Sequence, residues 1–150
     1  MAERCEIPAG NPTGPEIEQV LRSVKTIAVV GLSPKEDRPS FRVASYLKSK
    51  GYKIIPVTPM ADVILGEKAY AELSEIPPDV TVDMVDIFRN AEDVMPIVEA
   101  AVRRRGVKVI WMQEGIVNNA ARELAIGKGL TVVMDRCAMK EHRKMTEETR

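Results

Sequence analysis

The sequence predicts one α/β domain: a doubly wound, parallel five-stranded sheet with helices on both faces. Three observations carry that reading. Five short runs rich in β-branched residues recur along the 150 residues, each of strand rather than helix length. Stretches of helical period lie between them, so successive strands need crossover connections and run parallel. Gly51, Gly106 and Gly129 fall where those helices should stop, as glycine does just past a helix C-terminus.

Residues 1–14, with Pro8, Gly10 and Pro12, read as a flexible N-terminal arm, loose or docked on the surface, to a domain spanning 15–145. Thr13 and Glu16 have capping-box spacing, and Pro15 suits a first helical turn. Ile17, Val20, Leu21 and Val24 then form one apolar stripe. The first strand is Ile27-Ala28-Val29-Val30, apolar throughout and so suited to burial on both faces. Gly31 ends it. A polar loop follows, with Ser33, Lys35, Arg38, Pro39 and Ser40, and then a helix over 41–50 that turns Val43, Ala44 and Leu47 inward.

The second strand covers 52–58, and Pro59 stops it. Pro56 lies inside it and lacks a ladder donor, which argues for a bend or an edge strand. Residues 60–79 read as irregular, with at most a short strand and a helical turn or two. A third strand is predicted over 80–87. Asn90 is placed to cap the next helix, where Pro96 should kink it or delay its regular start. The fourth strand is 107–112, turned by Gln113-Glu114-Gly115. Asn118 or Asn119 caps a helix carrying Ala121, Leu124 and Ala125, and the fifth strand is 130–134. Beyond it the chain is charged, helical in part, and frayed over 146–150.

Lysine plus arginine and aspartate plus glutamate both count 22, so no global charge steers the chain to nucleic acid or membrane. No apolar stretch approaches the roughly 20 residues of a membrane span. The first residues lack the apolar core of a signal peptide, and Cys5 and Cys137 make no disulfide framework. A cytoplasmic setting is the resulting expectation. Neither histidine and cysteine spacing nor a carboxylate cluster suggests a metal.

In a doubly wound sheet, ligands bind beyond the carboxyl ends of the strands where strand order reverses. That rule gathers the segment from Gly31 to Ser40, the Thr58-Pro59 turn, Phe88-Arg89 and Gln113-Glu114-Gly115 around one crevice. Strand, glycine, polar loop and helix start make a phosphate-binding corner, because helix-start amides and the dipole both favour an anion. A dinucleotide fingerprint fails here: Ser33 and Glu36 stand where its second and third glycines belong. The acid that would bind a ribose at the end of the second strand is replaced by Thr58-Pro59. No P-loop pattern exists either.

These stretches carry a resemblance. Val30-Gly31-Leu32-Ser33-Pro34-Lys35 with Arg38-Pro39-Ser40, and Ile55-Pro56-Val57-Thr58-Pro59, open the match. Ile64-Leu65-Gly66, Val85-Asp86-Ile87-Phe88-Arg89, Ile110-Trp111-Met112-Gln113-Glu114-Gly115, Asn118 and Met134-Asp135-Arg136-Cys137 continue it in order. Together they resemble the small stand-alone CoA-binding proteins of Rossmann-like fold. Those proteins are similar to the CoA-binding domain of the succinyl-CoA synthetase α subunit and of the NDP-forming acyl-CoA synthetases. The resemblance implies that Gly31, Leu32, Ser33, Lys35, Arg42 and the Thr58-Pro59 turn hold the 3′-phospho-ADP part of coenzyme A. It also implies that Phe88, Arg89, Gln113, Glu114 and Gly115 line the pantetheine path. Thr58 departs from the usual asparagine, and Glu114 from the apolar residue common in the stand-alone proteins. Lys35, Arg38, Arg42 and Arg89 are the cations available to the phosphates, in charge-assisted contacts.

Catalytic groups are scarce in the sequence. The one histidine, His142, lies in the charged tail and reads as a surface residue. Asp83 and Asp86 are read as sharing a strand face, with a solvation role at the strand end rather than acid–base work. Cys137 follows the fifth strand where the coenzyme thiol would arrive, beside Arg136, or else serves as a small buried apolar residue. Trp111 and the methionines read as core. The expectation is a protein that binds CoA or acyl-CoA without a reaction of its own, with a homodimer as the default assembly. An NAD(P)-dependent oxidoreductase and an interaction module without ligand are the alternatives.

Overall fold

The computed structural model describes residues 7–148. Cys5 and the last two residues of the tail lie outside them.

The chain enters through α1 (Gly14–Ser23). Its capping box is formed in both directions, Thr13 N–H to Glu16 Oε1 at 2.8 Å and Glu16 N–H to Thr13 Oγ1 at 3.3 Å. Then come β1 (Thr26–Val30), α2 (Pro39–Ser49) and β2 (Lys53–Val57). A small antiparallel hairpin, β3 (Val63–Ile64) and β4 (Glu67–Lys68), leads to β5 (Met84–Ile87). The 3₁₀ turn Ala91–Asp93 precedes α3 (Val94–Arg103), followed by β6 (Val109–Met112) and α4 (Asn119–Gly127). The fold closes with β7 (Thr131–Val133) and α5 (Ala138–Glu148).

The five long strands are all parallel, in the order β2-β1-β5-β6-β7. Strand order therefore reverses between β1 and β5, which fixes the crevice there. One face of the sheet is covered by α1, α2 and α5, with Ile17, Leu21, Val43, Leu47, Trp111 and Met145 in its core. The other is covered by α3 and α4, with Val94, Val98, Ala101, Ala121 and Ala125. Burial of each large apolar side chain contributes about 1.5–3 kcal/mol. Trp111 also donates its indole N–H to the Arg136 carbonyl at 2.8 Å, tying the turn between β7 and α5 to β6.

Pro56 lies on the edge strand, as its missing donor required. Its carbonyl accepts from Tyr70 N–H at 3.0 Å on the side away from β1, so the absent N–H removes no bond between β1 and β2. Pro96 delays the helix: a 3₁₀ turn fills the space before α3, and Pro96 is the third α3 residue. Asn118 caps α4 through Ala121 N–H at 3.0 Å.

Several expectations need correction. The third strand starts at Met84 rather than at residue 80, because Asp83 turns its carboxylate onto the Lys25 and Thr26 amides (2.8 and 2.9 Å). Asn90 makes no side-chain cap bond. Met60 is 76% exposed and is not core. Residues 146–148 continue α5, while the described part of the N-terminal arm takes the docked form of the two expected for it, Asn11 exchanging two 2.8 Å hydrogen bonds with the Met134 backbone. Finally, His142 is not a surface residue. It is buried, with Nδ1 2.8 Å from the Tyr46 hydroxyl, since residues 138, 142 and 145 form the buried stripe of α5.

Candidate ligand-binding site

Gly31 is the pivot of the crevice. Its φ of +88° is a left-handed conformation that a side chain disfavours. A Cβ there would also meet the Phe88 carbonyl oxygen at 2.9 Å and Arg89 Cδ at 3.0 Å. The turn after β1 and the turn after β5 are thus pressed together at the switch point. Gly31 N–H is spent on the Val57 carbonyl (2.9 Å) and Phe88 N–H on the Val30 carbonyl (2.8 Å), so three strand ends are joined at one place.

The loop after Gly31 is ordered by its own hydroxyls. Ser40 Oγ, buried in the first turn of α2, accepts from Ser33 N–H at 3.0 Å, and Ser33 Oγ accepts from Lys35 N–H at 3.1 Å. Pro39 is the first α2 residue. Arg42 N–H finds the Arg38 carbonyl at 3.1 Å, which leaves the Ser40 and Phe41 amides as helix-start donors. Leu32 is fully buried, so its side chain belongs to the core and only its backbone can face a ligand.

The cations differ in availability. Lys35 and Arg38 are exposed and make no ion pair among the described residues. Arg42 turns its guanidinium onto the Asp37 carbonyl at 2.9 Å, and Arg89 is 3.3 Å from Asp93. Glu36 and Asp37 in the same loop offset part of the positive charge.

Thr58 is buried. Its N–H bonds the Tyr70 carbonyl (2.7 Å) and its Oγ1 accepts from Met60 N–H (3.1 Å), so it shapes the turn in which Pro59 is exposed. A cavity of about 400 Å³ opens at the ends of β1 and β2. Its walls include Val30, Val57, Arg89, Leu73, Ile97 and Arg103. Of the ligand-contact candidates named from sequence, only Arg89 lines it. The 71–74 segment and α3 were missed, because nothing in their local pattern marks a binding wall.

On the opposite face of the sheet the 113–115 turn is held by two aspartates. Gly115, at φ +82°, donates its N–H to Asp135 Oδ1 at 2.7 Å, and Asp135 itself has φ +59°. Gln113 donates its side-chain amide to Asp86 Oδ1 at 2.7 Å, both residues being buried. Glu114 points outward to Lys140 at 3.0 Å. Asp86 corrects the expectation of a solvated strand end. It is 0% exposed, and lying three residues from Asp83 in an extended strand it faces the other way. Burial pushes its carboxyl up to about 7, against the lowering effect of the Gln113 bond. Cys137 is a free thiol buried in the apolar cluster with Trp111 and Ala138.

A family profile described as a CoA binding domain matches residues 25–143. An uncharacterized protein of Bacillus subtilis strain 168, YneT, is 41% identical over 132 residues, covering 88% of this chain and 96% of its own. An ADP-forming acetate–CoA ligase II of Archaeoglobus fulgidus is 38% identical over 86 residues, 56% of this chain but only 12% of the ligase. A hypothetical protein from Pyrococcus horikoshii OT3 superimposes with a TM-score of 0.86 at 35% identity, covering 95% of this chain and 99% of that one.

Proposed function

The chain belongs to the CoA-binding domain family, and from that we propose that it binds coenzyme A or an acyl-CoA at the C-terminal edge of its sheet, without a reaction of its own. The observation that carries the reading is the Gly31 corner, where a left-handed glycine abuts Phe88 and Arg89 beside the start of α2. Helix-start amides at Ser40 and Phe41, with Lys35 and Arg38 unpaired among the described residues, suit a pyrophosphate. The Gln113–Gly115 turn and Phe88 supply the neighbouring surface for the pantetheine arm. The ligase chemistry of the Archaeoglobus relative is not carried over, because the match spans so little of that protein. A nicotinamide cofactor is disfavoured by Ser33 and Glu36, which replace the glycines that let a backbone approach a pyrophosphate.

Calorimetry with CoA, dephospho-CoA and NAD tests the proposal. CoA should bind one per chain, dephospho-CoA more weakly, and NAD not at all. Lys35→Ala should lower CoA affinity by about 1.5–3 kcal/mol. Binding of NAD in preference to CoA, or the absence of CoA binding, would overturn the reading.

A further inference from the structure

Asp86 is an unusual residue for the middle of a parallel sheet. Its register partners are Val29 on β1 and Trp111 on β6, both buried and apolar. The helices packed on that face present Val43, Leu47 and Ala138, and the loop after β1 presents Leu32. Cys137 is the titratable side chain buried in the same cluster; Tyr46, Tyr52 and His142 pack together toward the other end of the sheet, Tyr52 lying just before β2. Of the charged residues in the adjoining turns, Glu114 is held on Lys140, Asp135 on Gly115 N–H, Arg136 on the Asp135 carbonyl and Arg89 on Asp93. Gln113 is therefore the single polar contact of Asp86 among the described residues, and Asp86 Oδ2 is buried with no partner.

We propose that Asp86 is a positioning residue for the coenzyme site: in its uncharged form it fixes the Gln113 carboxamide, and coenzyme binding is thereby coupled to the proton on Asp86. The proposal rests on the CoA reading. Two effects act with the same sign. An ionised Asp86 has one donor for two oxygens and needs water or a shifted 113–115 turn to complete its solvation, whereas the neutral acid tolerates the dry site. An anionic ligand at the same strand ends also disfavours a second negative charge below it. The neutral acid is available near physiological pH, since burial raises its titration to about 7.

The test is calorimetric titration of CoA against wild type, Asp86→Asn and Asp86→Ala from pH 6 to 8.5. Asn keeps an oxygen for the Gln113 amide and cannot ionise. The dissociation constant of wild type, relative to Asp86→Asn, should rise with pH by up to tenfold per unit above the Asp86 titration. Taking this ratio cancels the ionisation of the coenzyme's own phosphate. Asp86→Ala should bind weakly at every pH, with Asn restoring affinity. Parallel profiles for wild type and Asp86→Asn, or wild-type affinity in Asp86→Ala, would overturn the positioning role while leaving CoA binding intact. Wild type that binds no CoA at any pH overturns both.

Discussion

The Nδ1 of His142 on α5 lies 2.8 Å from the hydroxyl of Tyr46 on α2. The imidazole also meets Tyr46 and Tyr52 edge-on, with ring centroids 5.4 and 5.8 Å away. The last helix is thus clasped to the body of the domain by a histidine, at the end of the sheet opposite the ligand crevice. Burial lowers the His142 titration from its ordinary 6.5, and the positive charges of Lys50 and Arg22 lower it further. In the unfolded chain the ring takes up a proton more readily than in the native protein. The contribution of His142 should therefore be complete above pH 6.5 and fall as pH drops through the lowered native value. Urea unfolding at pH 7.5 and 5 should show a smaller loss in His142→Gln than in wild type. Equal losses would show that the ring does not titrate as described.

Asp86 should do the opposite. Its native titration lies above the unfolded one, so the native state holds the proton longer. Stability from this group is complete below about pH 4 and is lost as pH rises through about 7. The span corresponds to roughly 4 kcal/mol at 1.36 kcal/mol per unit. Asp86→Asn removes the loss and keeps the bond to Gln113, so its advantage over wild type should be larger at pH 8 than at pH 5. An advantage that does not change with pH would contradict the assignment.

Gly31 and Gly129 make a controlled pair. Their φ values are +88° and +89°, but a Cβ at Gly129 meets nothing within 4 Å. Gly129→Ala should cost only the left-handed penalty, about 1–2 kcal/mol. Gly31→Ala adds a collision with a backbone carbonyl that cannot rotate away, and should cost about 2–4 kcal/mol. It should also weaken CoA, which Gly129→Ala should bind normally. The same stability and affinity in both variants would refute the role given to the Phe88 contact.

Asp83 anchors the other end of the sheet. Its Oδ2 receives the Lys25 and Thr26 amides at the start of β1. Asp83→Ala should destabilise by about 1.5–3 kcal/mol, as expected when a charged acceptor is withdrawn, and leave CoA affinity unchanged. A neutral effect on the denaturation midpoint would show that water replaces the carboxylate without cost.

What the sequence by itself determined is the local grammar. The capping box of α1, the β-branched runs, the delay at Pro96, the edge position of Pro56 and the stops at Gly51 and Gly129 follow from short-range sterics and hydrogen bonding. These act within a turn or two of the chain, so a few residues suffice to show them. The same grammar placed Gly31, Phe88 and Gln113 at strand ends, and hence at one edge of a parallel sheet. Tertiary structure alone decided which of those residues touch. The Gly31–Phe88 collision distance depends on β1 lying beside β5, and the cavity wall at Leu73 and Ile97 on the packing of segments far apart in sequence. Asp86 and His142 show the same limit. Each reads as a polar residue among ordinary neighbours, and each is buried because strands or helices from elsewhere close over it. Desolvation is a property of the assembled surroundings, so the protonation of these two groups was written only when the sheet and its covering helices came together.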